Sequence, residues 1–333
     1  MIRVGVIGLG AFGEFQIQAL KGMPGVEVAA VASRSADRAR EIAARYGVPR
    51  WYDTYDGLCA DPEIDAVTIA TEESQHLAPT LAALGAGKHV LVEKPLASNR
   101  ADALAIAGAA DGATGRLMPG HIVRFEPRFV ALKRQVESGA LGEIAALHAS
   151  RNRPRATLET YGRCHPALVT AIHDIDACLW LMGDRPSAVR AWHRLDRGPD
   201  GVYGIWGTFV FPTGALATIE ATWMMPDDTG LENGDIFSVT GTRGIANIDM
   251  GSSGLRVLTT GQTLAPETGY QPWGHDGIGG ALQAELGHFL LLAERPELEP
   301  VVTPADGVNA VIAAEAMIAS ATQNKEVAID WPE

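Results

Sequence analysis

Gly8-Leu9-Gly10-Ala11-Phe12-Gly13 stands between an apolar run at residues 2–7 and a helical stretch at 13–21. A lone glycine triplet is a weak signal. Placed after a strand and at the mouth of a helix it has a mechanical reading. Gly8 permits a tight turn, Gly10 lets a pyrophosphate approach the backbone, and Gly13 lets helix and strand pack closely. The helix start adds unpaired N–H groups and a partial positive charge. Gly8, Gly10, Ala11, Phe12 and Gly13 are therefore expected to hold a dinucleotide, against the plainer reading of a glycine-rich turn that binds nothing.

Outward from this turn, apolar runs recur at 26–32, 66–70, 89–92 and 116–120, with helical stretches at 36–46, 77–86 and 100–110 between them. Short, nearly continuous apolar strands alternating with helices indicate a parallel sheet covered on both faces. Right-handed crossovers then make the doubly wound α/β (Rossmann) fold the economical solution for residues 1–121. Beyond this the pattern changes. A helix is expected over 126–138, a strand over 143–149 and an Arg/Pro-rich loop over 151–155. A helix over 166–182 is opened by Pro166 and stopped by Gly183. From 187 to 258 the reading is mostly β, in six runs ending with one at 255–258. Two apolar helices (281–293 and 307–322) and a short strand (326–329) close the chain. Residues 122–333 are thus expected to form an α+β substrate-binding and oligomerisation domain, with a C-terminal helix that can pack back on the first.

Twenty of every hundred residues are charged, and the 333-residue chain carries a net charge of −13. Without a Lys/Arg run, such a surface repels nucleic acid and anionic lipid. No apolar run nears the ~18 residues of a membrane span, and no leader is expected at the start. Cys59, Cys164 and Cys178 have neither metal-ligand nor disulfide spacing. A cytoplasmic protein is the expectation.

The second strand ends at Ser33-Arg34, where an NAD site usually carries Asp or Glu for the ribose 2′-hydroxyl. A hydroxyl followed by a guanidinium suits a 2′-phosphate better, and Arg38, one turn along the next helix, offers a second charge. NADP is therefore expected in preference to NAD. The alternative is that Arg34 and Arg38 form a solvated face.

Residues 89–92 run into Glu93-Lys94-Pro95, at the carboxyl edge where doubly wound sheets bind ligands. Together with Ala70-Thr71, His76 and Ala86-Gly87-Lys88-His89-Val90-Leu91-Val92 before it and Leu96 after it, this segment resembles the glucose–fructose oxidoreductase/inositol dehydrogenase (Gfo/Idh/MocA) family. The likeness covers nearly the whole chain, specific in the first domain and looser in the second. It implies a Rossmann domain joined to an α+β domain with an open, mostly antiparallel sheet. It also implies oxidation or reduction of a hydroxyl or ketone on a small sugar, inositol, uronate or related polyol, and assembly into homodimers or homotetramers. It makes Lys94 the catalytic lysine, on a Lys94–Pro95 bond that is cis in relatives, and puts Thr71, His76 and Glu93 among the cofactor-side residues.

The family's second motif, Asp-x-x-x-His, is broken. His173 matches the histidine, but Val169 stands where the aspartate belongs, and valine can neither accept a proton nor orient an imidazole. His165, a further four residues back, projects from roughly the same helical face. It is expected either to take over part of the vacant role or to cap the helix. His173 is the expected general base or acid, with Asp176 nearby. His121 and Arg124, after the last run of the first domain, are candidate substrate contacts or interdomain hydrogen-bonding groups. Arg151, Arg153 and Arg155 point to an anionic substrate, for example a uronate or nucleotide sugar, or to a solvated loop. Tyr161 and Trp273 offer sugar-stacking faces. No metal is needed for hydride exchange. Two rival readings stay open: an NAD(P)-retaining glycosidase or lyase, and a non-catalytic NADP-binding protein.

Overall fold

The computed structural model describes residues 1–195, 201–227, 234–251, 255, 257–259, 262–264, 268–275 and 277–332. Its first unit comprises Met1–Phe125 and Tyr270–Val308, and its second Glu126–Gly269 and Asn309–Glu333.

In the first unit, β1 (Ile2–Ile7), α1 (Ala11–Lys21), β2 (Val26–Ala32), α2 (Ala36–Tyr46), β3 (Arg50–Tyr52), α3 (Tyr55–Cys59), β4 (Ala66–Ile69), α4 (Leu77–Gly85), β5 (His89–Glu93), α5 (Arg100–Asp111) and β6 (Leu117–Gly120) follow in order. The six strands lie β3-β2-β1-β4-β5-β6 and pair in parallel. The order reverses between β1 and β4, which puts the glycine turn at the switch point where such sheets bind ligands. Strand β3 escaped the sequence reading, because three residues at a sheet edge carry no periodicity. Helix α2 starts where its sequence predicts: the Ser35 hydroxyl accepts from Arg38 N, and Gly47 ends the helix in the left-handed region.

The second unit opens with α6 (Pro127–Glu137), β7 (Ile144–Pro154), α7 (Thr157–Tyr161), a π-helical turn at Ala167–Ala171 and α8 (Ile172–Met182). Gly183 stops α8 in the left-handed conformation. The sheet is built by β8 (Ala188–Leu195), β9 (Val202–Val210), β10 (Leu216–Met225), β11 (Gly234–Gly241) and β12 (Ile245–Asp249). Of the strand expected at 255–258, residue 256 lies outside the described residues. Val257–Thr259 (β13) pairs with Gln262–Leu264 (β14). The minimal hairpin β15 (Trp273–Gly274) and β16 (Gly277–Ile278) precedes α9 (Gly280–Glu294), α10 (Pro304–Gln323) and β17 (Val327–Ala328). The large sheet runs β12-β11-β7-β10-β9-β8-β17. The β7/β10 pair is parallel and the other five are antiparallel.

The leading stretch of the first unit ends at Phe125, close to the expected cut at residue 121, and the unit also takes in Tyr270–Val308 from the C-terminal part. There α9 buries Ala281, Leu282, Leu286, Phe289 and Leu290 in the core that holds Ile17 and Leu20 of α1. A fully buried Leu or Phe stabilises by about 1.5–3 kcal/mol, so this segment is part of the Rossmann core. The loop expected at 151–155 is largely strand, since β7 continues to Pro154. No helix among the described residues is long and apolar enough to cross a membrane.

Candidate active site

The glycine turn has the shape its sequence demands. Gly8 has φ +94°, and a Cβ there would lie 2.5 Å from the Ala70 carbonyl. A Cβ on Gly13 would lie 2.0 Å from Gly8 O. Both positions exclude a side chain. Gly10 is different, because a Cβ there would meet nothing within 4 Å. Its lack of a side chain leaves open space at the start of α1, a helix that no side chain caps. An uncapped helix N-terminus above an open cradle fits a pyrophosphate.

The neighbouring strand ends are riveted to this turn. The fully buried His76 ring has Nδ1 2.8 Å from Pro95 O and Nε2 3.2 Å from Thr71 O. Burial pushes its pKa down, so the ring is neutral and donates one hydrogen bond, the shorter one to Pro95 O by geometry. Thr71 Oγ1 donates to Gln75 O at 3.3 Å. His76 thus holds Pro95, whose bond with Lys94 is cis, and its ring is buried. Glu93 is also buried. Gln16 Nε2 donates to its Oε1 at 2.9 Å and Lys94 N to its Oε2 at 3.3 Å. Burial raises its pKa to about 7. Of the Glu-Lys-Pro triplet, Lys94 alone is partly exposed.

Ser33 and Arg34 follow β2, and Arg34 is exposed. It has no hydrogen bond or ion pair among the described residues. Ser33 Oγ accepts from Ser35 N at 3.2 Å. Arg38 departs from expectation. Its Nε and Nη2 both donate to Leu9 O at 3.1 Å, and it is ion-paired with Glu14 and Glu41. Its charge is spent on bracing the glycine turn. Arg124 is ion-paired with Asp306 at 3.1 Å and donates to Val301 O at 3.0 Å, while His121 is fully buried. Arg124 is thus braced within the first unit.

In the second unit, Thr170 of the π-turn accepts from the buried Trp223 indole Nε1 at 2.8 Å. A π-turn breaks the i, i+4 stacking, so residues 165, 169 and 173 do not line up as an unbroken α-helix would place them. His165 Nδ1 accepts from Ala167 N at 3.1 Å, which is the capping role. Its ring lies 5.9 Å from that of His193. Burial, then His193, lower its pKa to about 4. With Nδ1 accepting, the proton of the neutral ring sits on Nε2. His165 is therefore a donor, and it cannot accept from His173 as an aspartate would. His173 is partly exposed, whereas Asp174 and Asp176 are buried.

The arginine expectation is overturned in the same unit. Arg151 Nε and Nη2 donate to the two Asp174 oxygens at 2.8 and 2.9 Å, and Nη1 to Asp235 at 2.7 Å. Arg153 is paired with Asp235 through both oxygens. Two cations meet two anions, so the reason for expecting an anionic substrate at Arg153 is gone. Tyr161 carries the Arg163 guanidinium 5.7 Å from its ring centroid, which occupies one possible stacking face. Trp273 is exposed. Among the described residues no group of three or more His, Cys, Asp or Glu is arranged for a metal ion.

Residues 2–121 match the oxidoreductase family with the NAD-binding Rossmann fold, and residues 129–247 match the GFO/IDH/MocA C-terminal domain. An uncharacterized oxidoreductase, ORF334, of Rhizobium meliloti is 38% identical over 229 residues, covering 66% of this chain and 67% of the relative. The chain belongs to the Gfo/Idh/MocA family. Inositol 2-dehydrogenase 1 of Saccharopolyspora erythraea is 36% identical over 186 residues, 54% of each chain; the match thus spans about half the length of that relative. The structure of scyllo-inositol dehydrogenase from Lactobacillus casei, solved with NAD(H) and scyllo-inositol, superposes with a TM-score of 0.83 at 21% identity, covering 98% of this chain and 99% of that one.

Lys94 and His173, the residues expected to match the family's lysine and histidine, are each partly accessible in their own unit, and Val169 is 5% exposed. Two buried polar groups of the first unit escaped the sequence reading, Gln16 of α1 and Glu285 of α9. A signal existed for the second: Glu285 falls on the apolar stripe of Leu282, Leu286 and Phe289.

Proposed function

We propose that this protein is a nicotinamide-dependent dehydrogenase that interconverts a secondary hydroxyl and a ketone on an inositol, sugar or related polyol, and that it prefers NADP to NAD. The observation that carries the reading is the partly exposed Lys94 on the same switch-point edge as the open cradle at Gly10. When bound, the nicotinamide supplies or accepts the hydride. The backbone of Gly8–Gly13 holds the pyrophosphate. Ser33 and the unpaired Arg34 take the 2′-phosphate, which is the support for NADP. Lys94 donates to the reacting oxygen and stabilises charge developing on it. His173 takes the hydroxyl proton in oxidation and returns it in reduction. His165 donates through Nε2 to a substrate oxygen. The division of labour between the two units follows the family motif.

We place the protein in the cytoplasm as a homodimer or homotetramer. The exposed Trp192, Leu216, Met224, Ile236 and Ile245 on the strands of the large sheet support self-association. Light scattering at micromolar concentration tests it, and a monomer refutes it.

The deciding experiment offers a panel of inositols, sugars and polyols with NAD and NADP separately and follows the absorbance of reduced nicotinamide. Turnover with at least one polyol, at a KM about tenfold lower for NADP, is expected. No absorbance change across the panel sinks the dehydrogenase reading. Product formation without net cofactor reduction transfers the protein to the cofactor-retaining hydrolases or lyases.

A further inference from the structure

The turn between β1 and α1 is tied to a charge cluster on α1 and α2. Arg38, Glu41 and Arg45 follow at i, i+3 and i+7 on α2 and so share one face. Glu14, in the first turn of α1, stands at the centre of the cluster, with its side chain 15% exposed. Its Oε1 accepts from Arg38 Nη2. Its Oε2 accepts from Arg45 Nη1 at 2.8 Å and from the Tyr46 hydroxyl at 2.7 Å. Glu41 is the other anion, taking Arg38 Nη1 at 3.0 Å and Arg45 Nη2. Burial pushes the Glu14 pKa up, but Tyr46 and the arginines outweigh it and hold it below 4.5. Two cations thus face two anions at neutral pH. The remaining charged side chains of the two helices are engaged elsewhere: Asp37 pairs with Arg40, and Lys21 donates to Tyr46 O.

The cluster ends on the glycine turn. Arg38 also turns Nε and Nη2 to Leu9 O, at 3.1 Å each. The Leu9–Gly10 peptide is trans, so a carbonyl fixed on Arg38 aims the Gly10 N–H the opposite way. Gly10 is where the cradle is open. The same clasp commits the Arg38 guanidinium to the turn, although α2 begins just after Ser33-Arg34, where the ribose 2′ group of a dinucleotide meets a doubly wound sheet.

We propose that Glu14 is a positioning residue that also sets cofactor selectivity: it commits Arg38 to the glycine turn, which orients Gly10 for the pyrophosphate and withholds a second cation from the ribose 2′ position. The inference rests on the dinucleotide reading of the turn, but not on which cofactor the protein prefers. Without Glu14, two guanidiniums share Glu41 and one positive charge is left over. Arg38, in the first turn of α2, then becomes available to a 2′-phosphate, which a guanidinium engages bidentately. NAD lacks that phosphate, gains nothing from the released arginine, and loses what the braced turn supplied.

The test is the Kd of NAD and of NADP, measured separately by titration calorimetry on the full-length protein. Glu14→Ala is expected to weaken NAD about threefold and to shift the ratio of the two Kd values about tenfold toward NADP. Glu14→Gln keeps the shape and an acceptor but not the charge, and is expected to shift the ratio the same way by about threefold. Adding Arg38→Ala to either variant should abolish the shift. A ratio unchanged in both single variants means that Glu14 is a structural brace alone and overturns the proposal. A shift that survives Arg38→Ala also overturns it, because another cation is then responsible. If Glu14→Ala does not fold, Glu14→Gln decides by the same criteria. The wild-type ratio is a separate reading: tighter binding of NAD refutes the NADP preference and leaves the Glu14 shift standing or falling by itself. A protein that binds neither dinucleotide overturns the proposal together with the reading beneath it.

Discussion

The two units handle buried charge in opposite ways. In the second, Arg151 and Arg153 face Asp174 and Asp235 in a cluster where each guanidinium has a carboxylate partner. Desolvation pushes Asp235 up, but the two arginines outweigh it and hold its pKa below 3.8; at Asp174 burial wins and the pKa is raised. In the first unit, the buried Glu93 carboxyl is met by the neutral Gln16 amide and the Lys94 backbone N–H, and the buried Glu285 has no hydrogen-bond partner among the described residues. A balanced cluster has little freedom to change its protonation near neutrality and serves as a brace. An unbalanced one titrates where enzymes work, and Lys94 stands next to it. The same contrast recurs on α2 and the turn before it. Arg38 is neutralised by Glu14 and Glu41, and Arg34 is exposed with no ion pair among the described residues.

Four experiments would break or sharpen this comparison. Arg151→Met strips Asp174 of its bidentate partner and leaves a buried carboxylate uncompensated. A loss of about 3–5 kcal/mol is expected in urea unfolding, and a loss below ~1 kcal/mol would mean that the cluster is no brace. Lys94→Ala should lower kcat/KM by roughly 10²–10³-fold with stability unchanged, the reverse pattern.

The third experiment uses pH. A carboxyl that binds its proton more tightly in the folded state loses stability as it ionises. Between the usual glutamate value of 4.5 and about 7 for Glu93, stability should therefore fall with rising pH, by roughly 3 kcal/mol in all. Glu93→Gln should flatten that slope. Asp235 has the opposite sign. Its contribution is present above 3.8 and is lost as pH drops through its lower folded value, so Asp235→Asn should remove only an acid-side slope. Urea midpoints across pH separate the two windows. The smallest effect concerns Arg34. Arg34→Ala should raise the KM for NADP about tenfold, some 1.4 kcal/mol, and leave NAD untouched. Arg38→Ala should affect both cofactors alike, since it loosens the turn that both require.

Local pattern revealed a good deal of this. The alternation of apolar runs and helices leads to the doubly wound sheet because each element is short and declares its own period. Gly8 and Gly13 are legible because steric exclusion acts between residues close in sequence or on the neighbouring strand. The arginines are not legible in this way. Arg153 meets an aspartate 82 residues later, a pairing set by the β7/β11 register and by nothing near Arg153 in the chain. Arg38 resembles a phosphate ligand until its guanidinium is seen to curl back to Leu9 O. The π-turn defeats the helical-wheel argument for His165 because no residue type announces it. Glu285 was legible in principle, since it falls on the apolar stripe of Leu282, Leu286 and Phe289, but a helix rich in Leu and Ala reads as core and its acids pass for a solvent face.

The return of Tyr270–Val308 to the first unit has a consequence for biosynthesis. When residue 125 leaves the ribosome, every strand of the parallel sheet has been made, but the surface that receives Leu282, Leu286 and Phe289 is bare. It stays bare until α9 ends at Glu294, 169 residues later, roughly eight to thirty-five seconds at ordinary elongation rates. The nascent Rossmann half is thus a sticky, unfinished body for most of its time in synthesis. Its completion waits on one of the last helices translated, and chaperone demand should concentrate in that interval.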